Sequence, residues 1–328
     1  MKEKKSIYIL KIVCILFVII MHLISKAMIN YPISSFTFKF LVGIDIILKT
    51  SVPIFVLISG NLNLEKNHTI KELILKILKY YLFFIIFNSI YKLFDALFVL
   101  NIKLDFSLLK QILVDSLLLK SIYQMWYFHI IFITYISIPI FKYFIDKKSK
   151  VIDFIILGIL VFLFQILPWI VPVFYKNYTY LLVFLTYFYL GYILNKYRFK
   201  YDRFIYFILF LISYIFTYKK TIILDHDYYY FNFTFFNISF ISIFIYNLFL
   251  RFEEKIKDGK IFNFIKKLSK YTFSVFLIHG LIIGFLSKFN IINIYYYNNY
   301  FYILIYLILV YSMSIISVAV IKYVVKNL

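Results

Sequence analysis

The chain is poor in the residues that staple, break or loop a soluble fold. It has one cysteine, Cys14, so no intramolecular disulfide can form. Glycine (7) and proline (5) are sparse, which leaves little room for long flexible linkers. Acidic residues number 15 against 36 basic ones, and only Arg198, Arg203 and Arg251 among the latter are arginine. Charged residues make up 16% of the chain, well short of a soluble domain's roughly one quarter. There is no glycine-rich phosphate loop, no Gly-x-Ser-x-Gly elbow and no metal-ligand spacing, which argues against nucleotide hydrolysis, serine-hydrolase chemistry and a metal centre.

What is present is apolar: 64% of residues are hydrophobic and the mean hydropathy is +0.90. Apolar runs of about 18 to 25 residues recur along the chain, each able to cross a hydrocarbon core of roughly 30 Å as a helix. A membrane barrel would need alternating strands instead. The net charge of +21 reads as loop anchors on the cytoplasmic side of a many-span protein rather than as a nucleic-acid surface. Lys2, Lys4 and Lys5 ahead of the first apolar run resemble an uncleaved signal anchor.

The expected fold is therefore an all-α polytopic bundle of about ten transmembrane helices with both termini cytoplasmic. Spans are expected at Ser6–Met28, Phe38–Leu64, Ile74–Leu100, Ile122–Phe144, Val151–Ile170, Tyr178–Leu194, Phe204–Tyr218, Phe231–Leu250, Tyr271–Phe289 and Tyr300–Val325. Lys103–Lys120 reads as an amphipathic or re-entrant segment, with Leu104, Leu108, Leu109, Ile112 and Leu113 at helical spacing. No stretch is polar and long enough to make a soluble domain, so a single membrane domain is expected over residues 1–328.

Ionisable groups inside such spans are costly and mark candidate sites when they face the bundle interior. Lys11 and His22 share the first span, and their spacing puts both on one helix face about 16 Å apart. Lys11 can equally be a snorkelling anchor, and His22 a hydrogen-bonded packing residue. Asp45 and Lys49 form an i,i+4 pair expected near the outer surface; Pro53 and Gly60 follow on a span read as kinked and closely packed. Trp126 and Tyr127 open the fourth span as interfacial aromatics or cavity residues, and His129 reads as a buried packing group. His279 in the ninth span lies at a depth comparable with His22, either as a structural hydrogen-bonding residue or as a second polar wall of one cavity. Asn88, Lys92 and Asp95 could face the same interior, while His68 and His226 fall in loops.

Four blocks then occur in one order along nearly the whole chain. They are Lys11 with His22; Ser51 to Gly60, reading Ser-Val-Pro-Ile-Phe-Val-Leu-Ile-Ser-Gly; Met125-Trp126-Tyr127-Phe128 with Tyr135 and Pro139; and Leu268 to His279. Together they resemble the acyltransferase family 3 membrane proteins, which O-acylate bacterial cell-surface glycans.

The resemblance implies a bacterial cytoplasmic-membrane O-acyltransferase, an O-acetyltransferase in particular, using cytoplasmic acetyl-CoA and no metal. The acceptor it implies is a hydroxyl on a surface polysaccharide or lipid-linked glycan. His22 falls on the family's essential histidine and Lys11 on its basic partner, usually arginine. Lys11, Lys76 and Lys79 are the residues expected toward the donor, and Trp126, Tyr127, His279 and Ser59 those toward the acceptor. The loop after the second span departs from the family, offering lysines and no proline where arginines and a proline are common. Membrane lipids are expected as surroundings, nucleic acid is not expected, and any soluble envelope-assembly partner would be a separate chain. A glycan exporter or flippase is the alternative reading; unlike the enzyme, it would need neither acetyl-CoA nor a histidine base.

Overall fold

The computed structural model describes residues 4–170, 179–197, 202–223, 235–297 and 299–327, and among these it contains helices and turns and no strand. Seven helices are long and apolar enough to cross a membrane, or up to eight if one bent pair counts as a single span. The first is α1 (Lys5–Asn30). The end of the bundle where α1 starts is called the near end, and the opposite one the far end. Lys4 offers α1 no side-chain cap; the Glu253 carboxylate does so instead, accepting from the Lys5 and Ser6 N–H groups at 2.8 Å each.

The second expected span forms as two helices, α2 (Phe36–Leu48) and α3 (Ser51–Asn63). Pro53 has no N–H to give the carbonyl four residues back, and its ring crowds that carbonyl, so the break falls at Lys49 and Thr50. The Asp45–Lys49 pair forms at 3.5 Å, but its side chains are only 5% and 18% exposed, so it is an interior pair and not the surface pair expected. Helix α3 crosses α9 (Thr179–Lys196) with backbones in contact. A Cβ on Gly60 would fall 1.7 Å from the Phe188 carbonyl oxygen, and one on Gly191 would fall 2.0 Å from that of Leu57. Small residues therefore set this packing, as in other lipid-embedded helix pairs.

Helix α4 (Ile70–Phe94) starts at a capping box made by Thr69 and Glu72 and ends in a π-helical turn, Asp95–Val99. The chain then doubles back: the stretch read as amphipathic or re-entrant, Lys103–Lys120, forms α5 (Phe106–Leu117), which packs along the far half of α4. Asn88 pins the turn, donating to Ser116 Oγ at 3.0 Å and to the Lys120 carbonyl at 3.2 Å and accepting from the Ile122 N–H at 3.2 Å. Lys92 bonds Asp115 at 2.9 Å, and hydrogen bonds from Lys120 and Lys92 hold the Asp115 carboxyl below its ordinary range. Asn88, Lys92 and Asp95, the last bonded by the Tyr123 hydroxyl, thus brace this turn instead of facing an interior passage. A short 3-10 turn, Tyr123–Trp126, leads into α6 (Tyr127–Ile145).

The fifth expected span is divided into α7 (Lys150–Val161), a π-helical turn at Phe162–Ile166 and α8 (Leu167–Ile170). Pro168 cannot continue a regular ladder, and the wider turn ahead of it lets the buried Gln165 donate to Ser239 Oγ at 2.8 Å. Next come α10 (Asp202–Ile223) and α11 (Phe236–Arg251). Residues 231–234, which open the eighth expected span, lie outside the described residues, as do Tyr178, Arg198 and His226. Helix α12 (Lys260–Ser269) carries Lys266 and Lys267 on one side and exposed Ile261 and Phe264 on the other, the pattern of a helix lying in a membrane interface. It meets α13 (Thr272–Lys288) at 63°, and α14 (Phe301–Asn327) completes the described chain.

Replacing Gly60 by Ala should cost about 1–3 kcal/mol or more, because neither backbone at the α3–α9 crossing can yield to the methyl group. Gly158→Ala, where a Cβ meets nothing within 4 Å, should leave stability unchanged or raise it. Thermal midpoints of the two purified variants read this directly; equal midpoints would remove the backbone-contact account.

Candidate active site

Two cavities enter the bundle from opposite ends, and α1 and α13 contribute to both. The near-end cavity, about 310 Å³, is lined by Lys11, Ser59, Tyr80, Tyr127, Lys270, Thr272 and Phe276 among others. It is amphipathic: two ammonium groups and the hydroxyls of Ser59, Ser269 and Thr272 stand on walls of Phe55, Leu62 and Phe273. Thr272 Oγ1 is buried there with no hydrogen-bond partner among the described residues. Lys11 Nζ lies over the Tyr8 ring, 5.6 Å from its centroid.

The far-end cavity, about 480 Å³, has His22 on its wall with Ser25, Lys26, Tyr91, Tyr123, Gln124 and Lys288. Its volume depends on two glycines one turn apart on α13. A Cβ on Gly280 would fall 2.6 Å from the Gln124 amide nitrogen and 2.8 Å from the Tyr91 hydroxyl, and one on Gly284 would fall 2.9 Å from the Phe94 ring. The bare backbone at Gly280 lets the Tyr91 hydroxyl reach α13. It accepts from the Leu281 N–H and donates to the Leu277 carbonyl, at 3.1 Å each, and the Gln124 amide donates to it in turn.

His279 stands between the cavities. It is fully buried, its ring centroid 5.3 Å from that of His22 on one side and 5.9 Å from that of Phe276 on the other. Phe276 in turn packs on Tyr127, with centroids 5.1 Å apart. His279 Nδ1 sits 2.8 Å from the Phe276 carbonyl and 3.2 Å from that of Val275. Carbonyls only accept, so this nitrogen carries the hydrogen and Nε2 is left as an acceptor, buried and without a partner among the described residues.

Lys11 and His22, on one face of α1, thus open into two compartments with a partition of Tyr127, Phe276 and His279 between them. Lys11, Ser59 and Tyr127 share the near-end cavity; His22 lines the far-end one, and the buried His279 stands against it. The other candidates lie apart. Lys76 lies behind the near-end wall, over the Tyr135 ring at 5.7 Å, and Tyr135 packs on Tyr80. Lys79 is exposed over Phe83, and Trp126 packs against Phe184 without lining either cavity. His129 is a tie: its ring nitrogens lie 3.1 Å from the Trp126 and Leu119 carbonyls. Lys270 and Thr272 fall within the Leu268 to His279 block, which does not single them out, and Tyr91, Gln124, Lys26 and Lys288 carry no sequence motif that selects them. The Gly280 and Gly284 pair directly after His279 is the signal in the sequence that could have found the far-end cavity.

The fold is thus a helical membrane bundle in which two imidazoles face each other between two amphipathic cavities. The particular class follows from comparison. A family model described as an acyltransferase domain matches residues 4–322, and the chain belongs to that family, acyltransferase family 3. No curated protein and no solved structure matches the chain. The protein is a multi-pass membrane acyltransferase.

In a Cys14→Ala background, Lys270→Cys and Lys288→Cys should react with a membrane-impermeant thiol reagent from opposite faces of sealed vesicles. Labelling of both from one face would contradict the two-ended arrangement.

Proposed function

We propose that the protein is an O-acetyltransferase of the bacterial cytoplasmic membrane, moving an acetyl group from cytoplasmic acetyl-CoA to a sugar hydroxyl on a surface polysaccharide or lipid-linked glycan. The observation that carries the reading is the His22–His279 pair between two cavities that open at opposite ends. The near end holds the basic α12 and Lys147, Lys148, Lys255 and Lys257 in adjoining loops, and the positive-inside rule makes it the cytoplasmic one.

The near-end cavity fits the donor by its chemistry. Lys11 and Lys270 can meet an anionic head, the aromatic walls an extended arm, and Ser59 and Thr272 its amides. The far-end cavity takes the acceptor against Tyr91, Tyr123 and His22. The Phe276 ring lies between them, so contact between donor and acceptor requires it to turn aside. His22 then takes the proton of the acceptor hydroxyl as that oxygen bonds to the acyl carbon, and the proton passes to the departing thiolate as the carbon–sulfur bond breaks. His279 is a positioning residue, its tautomer fixed by the Phe276 carbonyl.

His22→Ala should lower acetyl transfer by about two to four orders of magnitude while the protein remains folded. Lys11→Gln should raise the KM for acetyl-CoA with a smaller change in kcat, and Lys11→Arg should restore it. The readout is radiolabel from acetyl-CoA appearing in membrane glycan; full labelling by the His22 variant would end the proposal.

A further inference from the structure

The geometry points to an acceptor that carries negative charge, a carboxylate or a phosphate, close to the hydroxyl that is acylated. This deepens the proposed function and rests on its assignment of the far-end cavity to the acceptor.

Two ammonium groups, Lys26 of α1 and Lys288 of α13, line that cavity with His22. Lys26 lies one turn beyond His22, a rise of about 6 Å, and Lys288 lies about 12 Å beyond Gly280 along α13. Both sit at the mouth on exposed positions, and among the described residues neither forms an ion pair. Lys26 has its Nζ 3.5 Å from the Tyr295 hydroxyl and 5.3 Å from that ring's centroid, which aims the ammonium along the cavity rim. Among the described residues no carboxylate lines the cavity, and Asp95, behind Tyr123, accepts from that hydroxyl.

The charge is therefore one-signed, while the rest of the lining is neutral: Ser25, Gln124 and Ser287 offer hydrogen bonds, and Tyr91, Phe94 and Phe98 offer faces. A sugar stacked on those faces with one hydroxyl at His22 would place a substituent on the same or the next sugar within reach of the two lysines. Two cations converging on a mouth with aromatic walls favour an anionic ligand through charge-assisted hydrogen bonds and through field focusing. A neutral glycan would leave both ammonium groups without a complement.

The test compares two probes of one backbone, a cello-oligosaccharide and the same oligosaccharide oxidised at C6 to the uronate. Binding is measured first, with no acyl donor present, on the full chain in lipid nanodiscs. The uronate should bind about tenfold more tightly or better, with the advantage shrinking as salt rises. Lys26→Gln with Lys288→Gln should bring the ratio of the two affinities toward unity, and Lys26→Arg with Lys288→Arg should keep it; a ratio taken within one variant is insensitive to how much protein is folded. Equal binding of the two oligosaccharides by the wild type, or an unchanged ratio in the Gln variant, overturns the charge inference. Transfer of radiolabelled acetyl to the bound probe is scored separately. Selective binding without any transfer would count against the acyltransfer reading and leave the anion site standing.

Discussion

A polar group held among apolar helices keeps its place only if a partner or a wet cavity offsets the loss of water, and that requirement sorts the interior of this protein into two populations. One is satisfied by cross-helix ties. The buried Asn61 donates to Tyr246 at 2.8 Å, Gln165 to Ser239 at 2.8 Å, and Tyr189 and Lys196 both reach the buried Asp153. These bonds fix which helices are neighbours. Other polar groups, Ser59, Thr272 and His22 among them, face the two cavities.

The same sorting explains what could be read from the sequence. Apolar run length depends on the local chain alone, so each expected span has helical counterparts among the described residues, from α1 to α14. The helix before the fourth span was legible as a helix for a similar reason, but of the apolar positions named in that stretch Ile112 is buried while Leu104, Leu109 and Leu113 are exposed. Helix breaks were harder. Pro53 announces a disturbance in the second span, but the break three to four residues earlier follows from where the proline ring meets the preceding turn. Asp45 and Lys49 were readable as a pair; their burial depends on α1 and α10, and no spacing within α2 contains it.

The site was legible by residue and not by compartment. One-face spacing on α1 correctly puts Lys11 and His22 on cavity walls, since a helix face is a property of the helix itself. Whether two positions on one face open into a common space is decided by what the neighbouring helices bring between them. Here α13 brings Phe276 and His279, and α6 brings Tyr127. Lys76 and Lys79 illustrate the converse. They lie in the basic stretch that the resemblance marks for the donor, yet the rotation of α4 turns one toward Tyr135 and the other toward Phe83.

A partition of this kind suits an acyltransferase better than one continuous passage would. A thioester is stable against slow hydrolysis but is attacked readily by water once a base is near, so a donor resting beside an open imidazole would be wasted. In the proposed arrangement, a donor on the near-end side is kept from the histidines until an acceptor fills the far-end cavity, which couples transfer to the presence of both substrates. Phe276 is the middle of the three side chains in the partition, touching Tyr127 on one side and His279 on the other. A bulky aromatic on α13, one turn before the imidazole it screens, is thus the wall that a donor in one cavity and an acceptor in the other would have to displace in order to meet.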